Sequence, residues 1–213
     1  MHIPDGYLDP ITCAVTYIIT ILFGIIAYRK SKDKLNPELV SLISVLAAGI
    51  FVAQMLNWPI PGGTSLHFVG GALAGILLGP YIGFFIMFLV LFVQCIIFHD
   101  GGITTLGANV LNMAIVDVLV GYYLYVLISK FGKGDYRYKL IGAFLGGWMG
   151  IALAGLFAGI ELGLSPSFGF PLGITVPVML GWHLLLGVIE GLITAFTVGY
   201  LFKKAPYIFE YGK

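Results

Sequence analysis

The chain alternates long apolar runs with short polar segments. Residues 11–28 form a charge-free run long enough to cross a bilayer. Further runs follow at 39–58, 67–78, 81–98, 106–128, 140–160 and 174–202. Each is read as a helix, because a helix satisfies its own backbone groups where no water can. The third run is short and glycine-rich, so charge has to decide whether it crosses. Lys and Arg fall in three clusters, at 29–34, 130–139 and 203–213. Cytoplasmic segments carry the basic excess. Seven crossings with the N-terminus outside put all eleven basic residues on the cytoplasmic side, and without the third crossing the middle cluster moves outside. The expectation is an all-α integral membrane protein, a bundle of about seven transmembrane helices with the N-terminus outside and the C-terminus cytoplasmic. Residues 1–213 then make one transmembrane domain: an N-terminal polar segment at 1–10, the bundle at 11–204 and a cytoplasmic tail at 205–213.

Composition supports the membrane reading. The chain is 59% hydrophobic and 10% charged, with mean hydropathy +1.01, whereas soluble domains are about 25% charged. A net charge of +1 argues against a nucleic-acid partner. Cys13 and Cys95 lie inside apolar runs and read as small packing residues, not a disulfide or metal pair. No Lys or Arg precedes the first run, so no cleavable signal is expected. A multi-pass protein of the cell membrane follows, with the lipid bilayer as its first partner.

The polar start, Met1-His2-Ile3-Pro4-Asp5-Gly6-Tyr7-Leu8, carries the clearest chemistry. The Met1 amine and the His2 backbone nitrogen can close a five-membered chelate ring. The His2 backbone nitrogen and its imidazole Nδ1 can close a six-membered one. Three nitrogens then lie in one plane, which suits Ni(II) or Cu(II) and leaves a fourth position open. Pro4 has no N–H to deprotonate. Pro4-Asp5-Gly6 reads as a turn that folds the terminus back onto the bundle. The small-residue requirement for methionine removal is not met by His2, so Met1 should remain.

Other polar residues bear on this segment. His67 follows a Pro/Gly loop and is either the fourth ligand or an interfacial capping histidine. His99, beside Asp100, is a solvated loop residue or one that orients another ligand. Asp5 hydrogen-bonds within its turn or supports His2. Asn109 and Asn112 share a helical face and could tie loops together at the outer end. His183 and Glu190, seven apart on one helix face, and Asp117 are intramembrane ionisable groups and so functional candidates, or else polar groups hydrogen-bonded inside the bundle. Gly71, Gly75, Gly79 and Gly83, like Gly142, Gly146 and Gly150, recur every four residues. Such stripes let helices approach closely, within the chain or against a partner. A rival reading places zinc among His67, His99, His183 and Glu190 in an intramembrane enzyme, but no H-E-x-x-H spacing supports it.

With its N-terminal octapeptide, His67 and seven spans, the chain closely resembles the NikM/CbiM family. These are substrate-binding membrane (S) components of energy-coupling-factor importers for nickel and cobalt, associated with cobalamin biosynthesis. The Pro-Asp-Gly form looks more like the nickel branch. The resemblance implies a planar site for Ni²⁺ or Co²⁺ as transported substrate, made by the Met1 amine, the His2 amide and imidazole, and His67. Asp5, His99 and Asn109 would give weaker support around it. No organic cofactor is implied. Expected partners are a transmembrane coupling (T) subunit, ABC-type ATPase subunits and a small accessory membrane subunit. The chain lacks a G-x-x-x-x-G-K-[ST] loop, so ATP hydrolysis is assigned to a partner.

Overall fold

The computed structural model describes residues 2–56, 58–60 and 64–212, with the backbone alone at 58–60 and 64–66. Among these residues six helices are long and apolar enough to cross a membrane: Pro10–Lys34, Pro37–Gln54, Pro80–Phe98, Leu106–Phe131, Tyr136–Leu164 and Leu172–Lys204. The first begins as α1 (Pro10–Ser31), where Asp9 accepts the Ile11 and Thr12 N–H groups and Pro10 sits at the first turn. Asn36 caps α2 (Pro37–Gln54) in the same way.

The apolar run at 39–58 ends early. Pro59 has no N–H to continue a helix, and the chain turns into a hairpin of β1 (Trp58–Ile60) and β2 (Thr64–Leu66), antiparallel with Trp58 opposite Leu66. The loop expected here is therefore partly ordered as a ladder.

The third run holds α3 (Gly71–Leu78), eight residues, every one of them buried. At 1.5 Å per residue it covers about 12 Å, far short of the hydrocarbon core. The crossing is completed by non-helical chain at 67–70. Such backbone is tolerated at membrane depth only where protein surrounds it. Gly79, at φ +81, turns the chain into α4 (Pro80–Val93).

Two π-helical segments interrupt the spans. Gln94–Phe98 follows α4, and Leu111–Val116 lies between α5 (Leu106–Val110) and α6 (Asp117–Phe131). The last spans are α7 (Tyr136–Leu164) and α8 (Leu172–Lys204).

The glycine stripes are used inside the bundle. A Cβ on Gly75 would meet the Val118 carbonyl at 2.8 Å, and one on Gly146 the Gly121 carbonyl at 2.7 Å. Helix backbones approach here as only small residues allow. Much of α1 stays uncovered, with Ile11, Val15, Ile18, Leu22 and Ile25 exposed. These are side chains suited to lipid.

The bundle has two distinct ends. At one, Lys30 and Lys34 share a pocket with Gly79, Tyr122 and Gly212. The start of α7 and the end of α8 bring Lys139 onto the Phe202 ring and Lys203 onto that of Tyr136. At the other end lie His2, His67 and Ser165. The chain passes from this end to the basic end between His67 and Gly79, so among the described residues there are seven passages and six full-length helices.

Candidate metal site

Residues 2–9 fold back over the bundle. Asn109, on α5, holds Ile3 with both halves of its amide: Oδ1 accepts the Ile3 N–H at 2.8 Å and Nδ2 donates to the Ile3 carbonyl at 3.1 Å. That carbonyl also accepts the Gly102 N–H at 3.0 Å and the Thr105 hydroxyl. Among the described residues, no hydrogen bond joins the Asp5 side chain to its own turn or to His2. Its carboxylate takes the N–H groups of Ile103 (3.2 Å) and Thr104 (2.7 Å) and the Thr104 hydroxyl. The Thr104 hydroxyl, above all, holds the Asp5 carboxyl below its ordinary range. Farther on, the Ser165 hydroxyl donates to the Tyr7 carbonyl and accepts the Asp9 N–H. Ile3 and Leu8 pack with Cys13, Ala108, Ala158 and Leu162, apart from the main core.

This fold-back places the His2 ring on that of His67. The centroids are 4.7 Å apart and the planes 16° from parallel. Thus two imidazoles far apart in sequence meet at the end remote from the lysines. His2 Nε2 lies 3.1 Å from Gln94 Oε1, and Asp100 Oδ1 stands 3.4 Å from Nδ1. Burial pushes the His2 imidazole down to about 4, with Asp100 and Gln94 opposing that fall. The His2 ring is therefore neutral at pH 7, the form in which imidazole binds a metal. His67 is only 3% exposed.

The His67 ring also has a defined tautomer. Its Nδ1–H donates to the Phe68 carbonyl at 2.8 Å, which leaves the lone pair on Nε2. The Met1 amine lies outside the described residues.

The remaining candidates fall elsewhere. His99, at φ +55 in the turn after the first π segment, is exposed, and no hydrogen bond or ion pair joins it to the described residues. Its neighbour Asp100 is the one that approaches His2. His183 is buried and donates from Nδ1 to the Met179 carbonyl one turn back. Glu190 accepts from Val69 and Gly70. Asp117 faces Gly71 and Gly150 in the bundle interior. Asn112 donates to Glu161 at 2.7 Å. Among the described residues no three His, Cys, Asp or Glu side chains gather as a metal cluster, so the zinc set of His67, His99, His183 and Glu190 is not assembled.

Sequence reasoning overlooked Gln94, Gln54 and the backbone role of Glu190. The available signal was a lone amide near the end of an apolar run. Such a group must find a partner inside the bundle.

The family described as the cobalt uptake substrate-specific transmembrane region (CbiM) matches residues 2–208. A protein of Archaeoglobus fulgidus named "Putative fused nickel transport protein NikMN" is 56% identical, over 99% of this chain and 68% of its own length. The fused nickel transport protein NikMN of Rhodobacter capsulatus is 39% identical, over 97% of this chain and 63% of its own. The chain thus spans about two thirds of the length of these fused relatives. The crystal structure of a transition metal transporter superposes with a TM-score of 0.89 at 36% identity, over 99% of this chain and 97% of that one. This chain belongs to the CbiM family, as a multi-pass membrane component of prokaryotic nickel and cobalt transport and not an enzyme.

Proposed function

We propose that the chain is the substrate-binding component of an ATP-driven energy-coupling-factor importer, and that it takes up Ni²⁺, or Co²⁺, at the outer face. The stacking of His2 on His67, buried at the end remote from the basic clusters, is the observation that carries this reading. The metal's ligands are the Met1 amine, the His2 amide nitrogen and imidazole, and His67 Nε2. The basic end faces the cytoplasm, following the positive-inside rule. Residues 1–10 form the chelating segment, 11–204 the bundle and 205–213 a cytoplasmic tail.

Each part of the chain has a task. Asn109, Thr105 and Gly102 fix Ile3 and so set the direction of the His2 amide. Burial keeps the His2 imidazole unprotonated and ready to donate. At neutral pH the protons released on binding come from the amine and the amide, so affinity rises with pH. A coupling subunit, ABC-type ATPases and a small accessory membrane subunit supply the energy and motion, and the 56% identity to a protein named for nickel favours nickel over cobalt.

The test is titration of the purified chain, with its native N-terminus, by nickel and cobalt under visible absorption. A one-to-one, diamagnetic, yellow nickel complex is expected. His2→Ala and His67→Ala each remove a ligand and the planar band. One residue added before Met1 displaces the amine by about 3.8 Å of chain and abolishes the complex. Unchanged nickel affinity in that extended protein would sink the four-nitrogen arrangement.

A further inference from the structure

His67 lies on the short stretch of chain between β2 and α3. Two successive N–H groups there find a single acceptor, the Glu190 side chain. Val69 N–H donates to Oε2 at 2.9 Å and Gly70 N–H to Oε1 at 2.8 Å. Glu190 comes from the middle of α8 and is 1% exposed. Gln54, the last residue of α2, grips the opposite side by donating to the Val69 carbonyl. Gly70, at φ +82, has no room for a side chain, since a Cβ would meet Phe68 and Ile50 below 3.0 Å.

One peptide unit joins Glu190 to His67. The Phe68 carbonyl accepts the His67 Nδ1–H, and the N–H of that same peptide, on Val69, donates to Glu190. The sequence of contacts is carboxylate, peptide N–H, peptide carbonyl, imidazole N–H. Each bond polarises the next in the same direction. A carboxylate at the far end makes the carbonyl a stronger acceptor. The imidazole is thereby held in one tautomer and one orientation, and its Nε2 becomes a better donor. Carboxylates commonly act on metal-binding histidines by direct contact; here a peptide bond stands between the two.

We propose that Glu190 is the positioning residue for His67, acting through the Phe68–Val69 peptide to aim its Nε2 and strengthen it as a metal donor. This rests on His67 being a nickel ligand.

The test is nickel titration of full-length Glu190→Gln by visible absorption. A glutamine has one acceptor oxygen, so it can satisfy one of the two N–H groups and turns a donor toward the other. The variant is expected to fold, to bind nickel about 10- to 100-fold more weakly, and to show a band shifted to lower energy by the weaker donor. In a His67→Ala background, where the planar band is gone and residual nickel affinity is read by calorimetry, the same change should cost nothing further, because the path through His67 is gone. Glu161→Gln, the same change in a buried carboxyl outside this path, should leave affinity and band as they were. Wild-type affinity and band in Glu190→Gln overturn the proposal, as does an equal loss with and without His67. Should Glu190→Gln not fold, Glu190→Asp takes its place. It withdraws the carboxylate by about 1.5 Å, and wild-type behaviour there is equally decisive. Failure of the wild-type chain to form a planar nickel complex overturns the four-nitrogen reading itself, a result separable from any on Glu190.

Discussion

The two halves of the site are held in different ways. The His67 half is built into the bundle: Glu190 of α8 and Gln54 of α2 grip the chain on either side of Val69, and all three are buried. The His2 half is laid on from outside. Its contacts go to the ends of spans and the loop at 99–105, and its apolar residues form a small cluster separate from the main core. Some of those contacts, such as Asp5 with Thr104, are exposed. Removing the His67 half means disturbing two spans. Lifting the His2 half means breaking a handful of hydrogen bonds and uncovering Ile3 and Leu8. With the proposed metal site, residues 2–9 are then the part expected to lift for metal entry and release, and His67 the fixed partner.

Asn109→Ala puts the largest strain on that assignment. Asn109 is 2% exposed and makes two hydrogen bonds to Ile3. Alanine leaves the Ile3 N–H unmet, while its carbonyl keeps Gly102 and Thr105. A buried polar group left unpaired costs about 1–3 kcal/mol, and here the cost falls on docking of the N-terminal segment. The expected outcome is a nickel affinity lower by roughly 10- to 100-fold with the planar band unchanged once metal saturates, since the ligands remain. Glu190→Gln should shift the band. A shifted band in Asn109→Ala would erase the distinction between a half that docks and a half that is aimed.

Much of this architecture was legible in the sequence. Apolar runs give the spans, and the three basic clusters mark one end. The seventh crossing was readable only from charge, because α3 is a short helix finished by irregular chain and its composition resembles a broken span. His2 and His67 stood out because a histidine at position two has a distinctive chelate chemistry, and because an isolated histidine beside an apolar run invites explanation. The supports did not stand out. The Asn109 side chain fastens backbone 106 residues away, and Glu190 works on N–H groups that carry no sequence signal. His183 and Glu190 share a helix face as their spacing requires, yet one answers its own helix and the other the His67 chain. Side-chain spacing along one helix says nothing about which strand of backbone passes in front of it.

Acid should act on the laid-on half as well. His2 has its imidazole near 4 when docked, against 6.5 when free. Between those values the undocked chain takes up a proton that the docked ring refuses. Stability is therefore whole above about 6.5 and is lost as pH falls toward 4. Thermal unfolding of the metal-free protein, followed from pH 7.5 to 4.5, should show a falling midpoint. His2→Ala should flatten part of that slope. An identical slope in the variant would mean that the His2 ring is not buried in solution.

The smallest effect is expected at His99, and it sharpens the comparison because its neighbour should behave differently. His99 and Asp100 are adjacent, polar and in one turn, so sequence alone gives no reason to separate them. Backbone geometry does separate them: His99 takes a left-handed conformation with its side chain exposed, and Asp100 N–H closes onto the Gln94 carbonyl at 3.0 Å. Asp100 thereby comes to 3.4 Å from His2 Nδ1, while His99 stays exposed. His99→Ala should leave nickel affinity within about twofold, well below the tenfold that 1.4 kcal/mol represents. Asp100→Ala takes a negative charge away from the His2 ring and should weaken nickel binding severalfold, with the loss shrinking at high salt. Equal effects at the two positions would mean that the turn acts as a unit, and that the contact between Asp100 and His2 has no electrostatic role of its own.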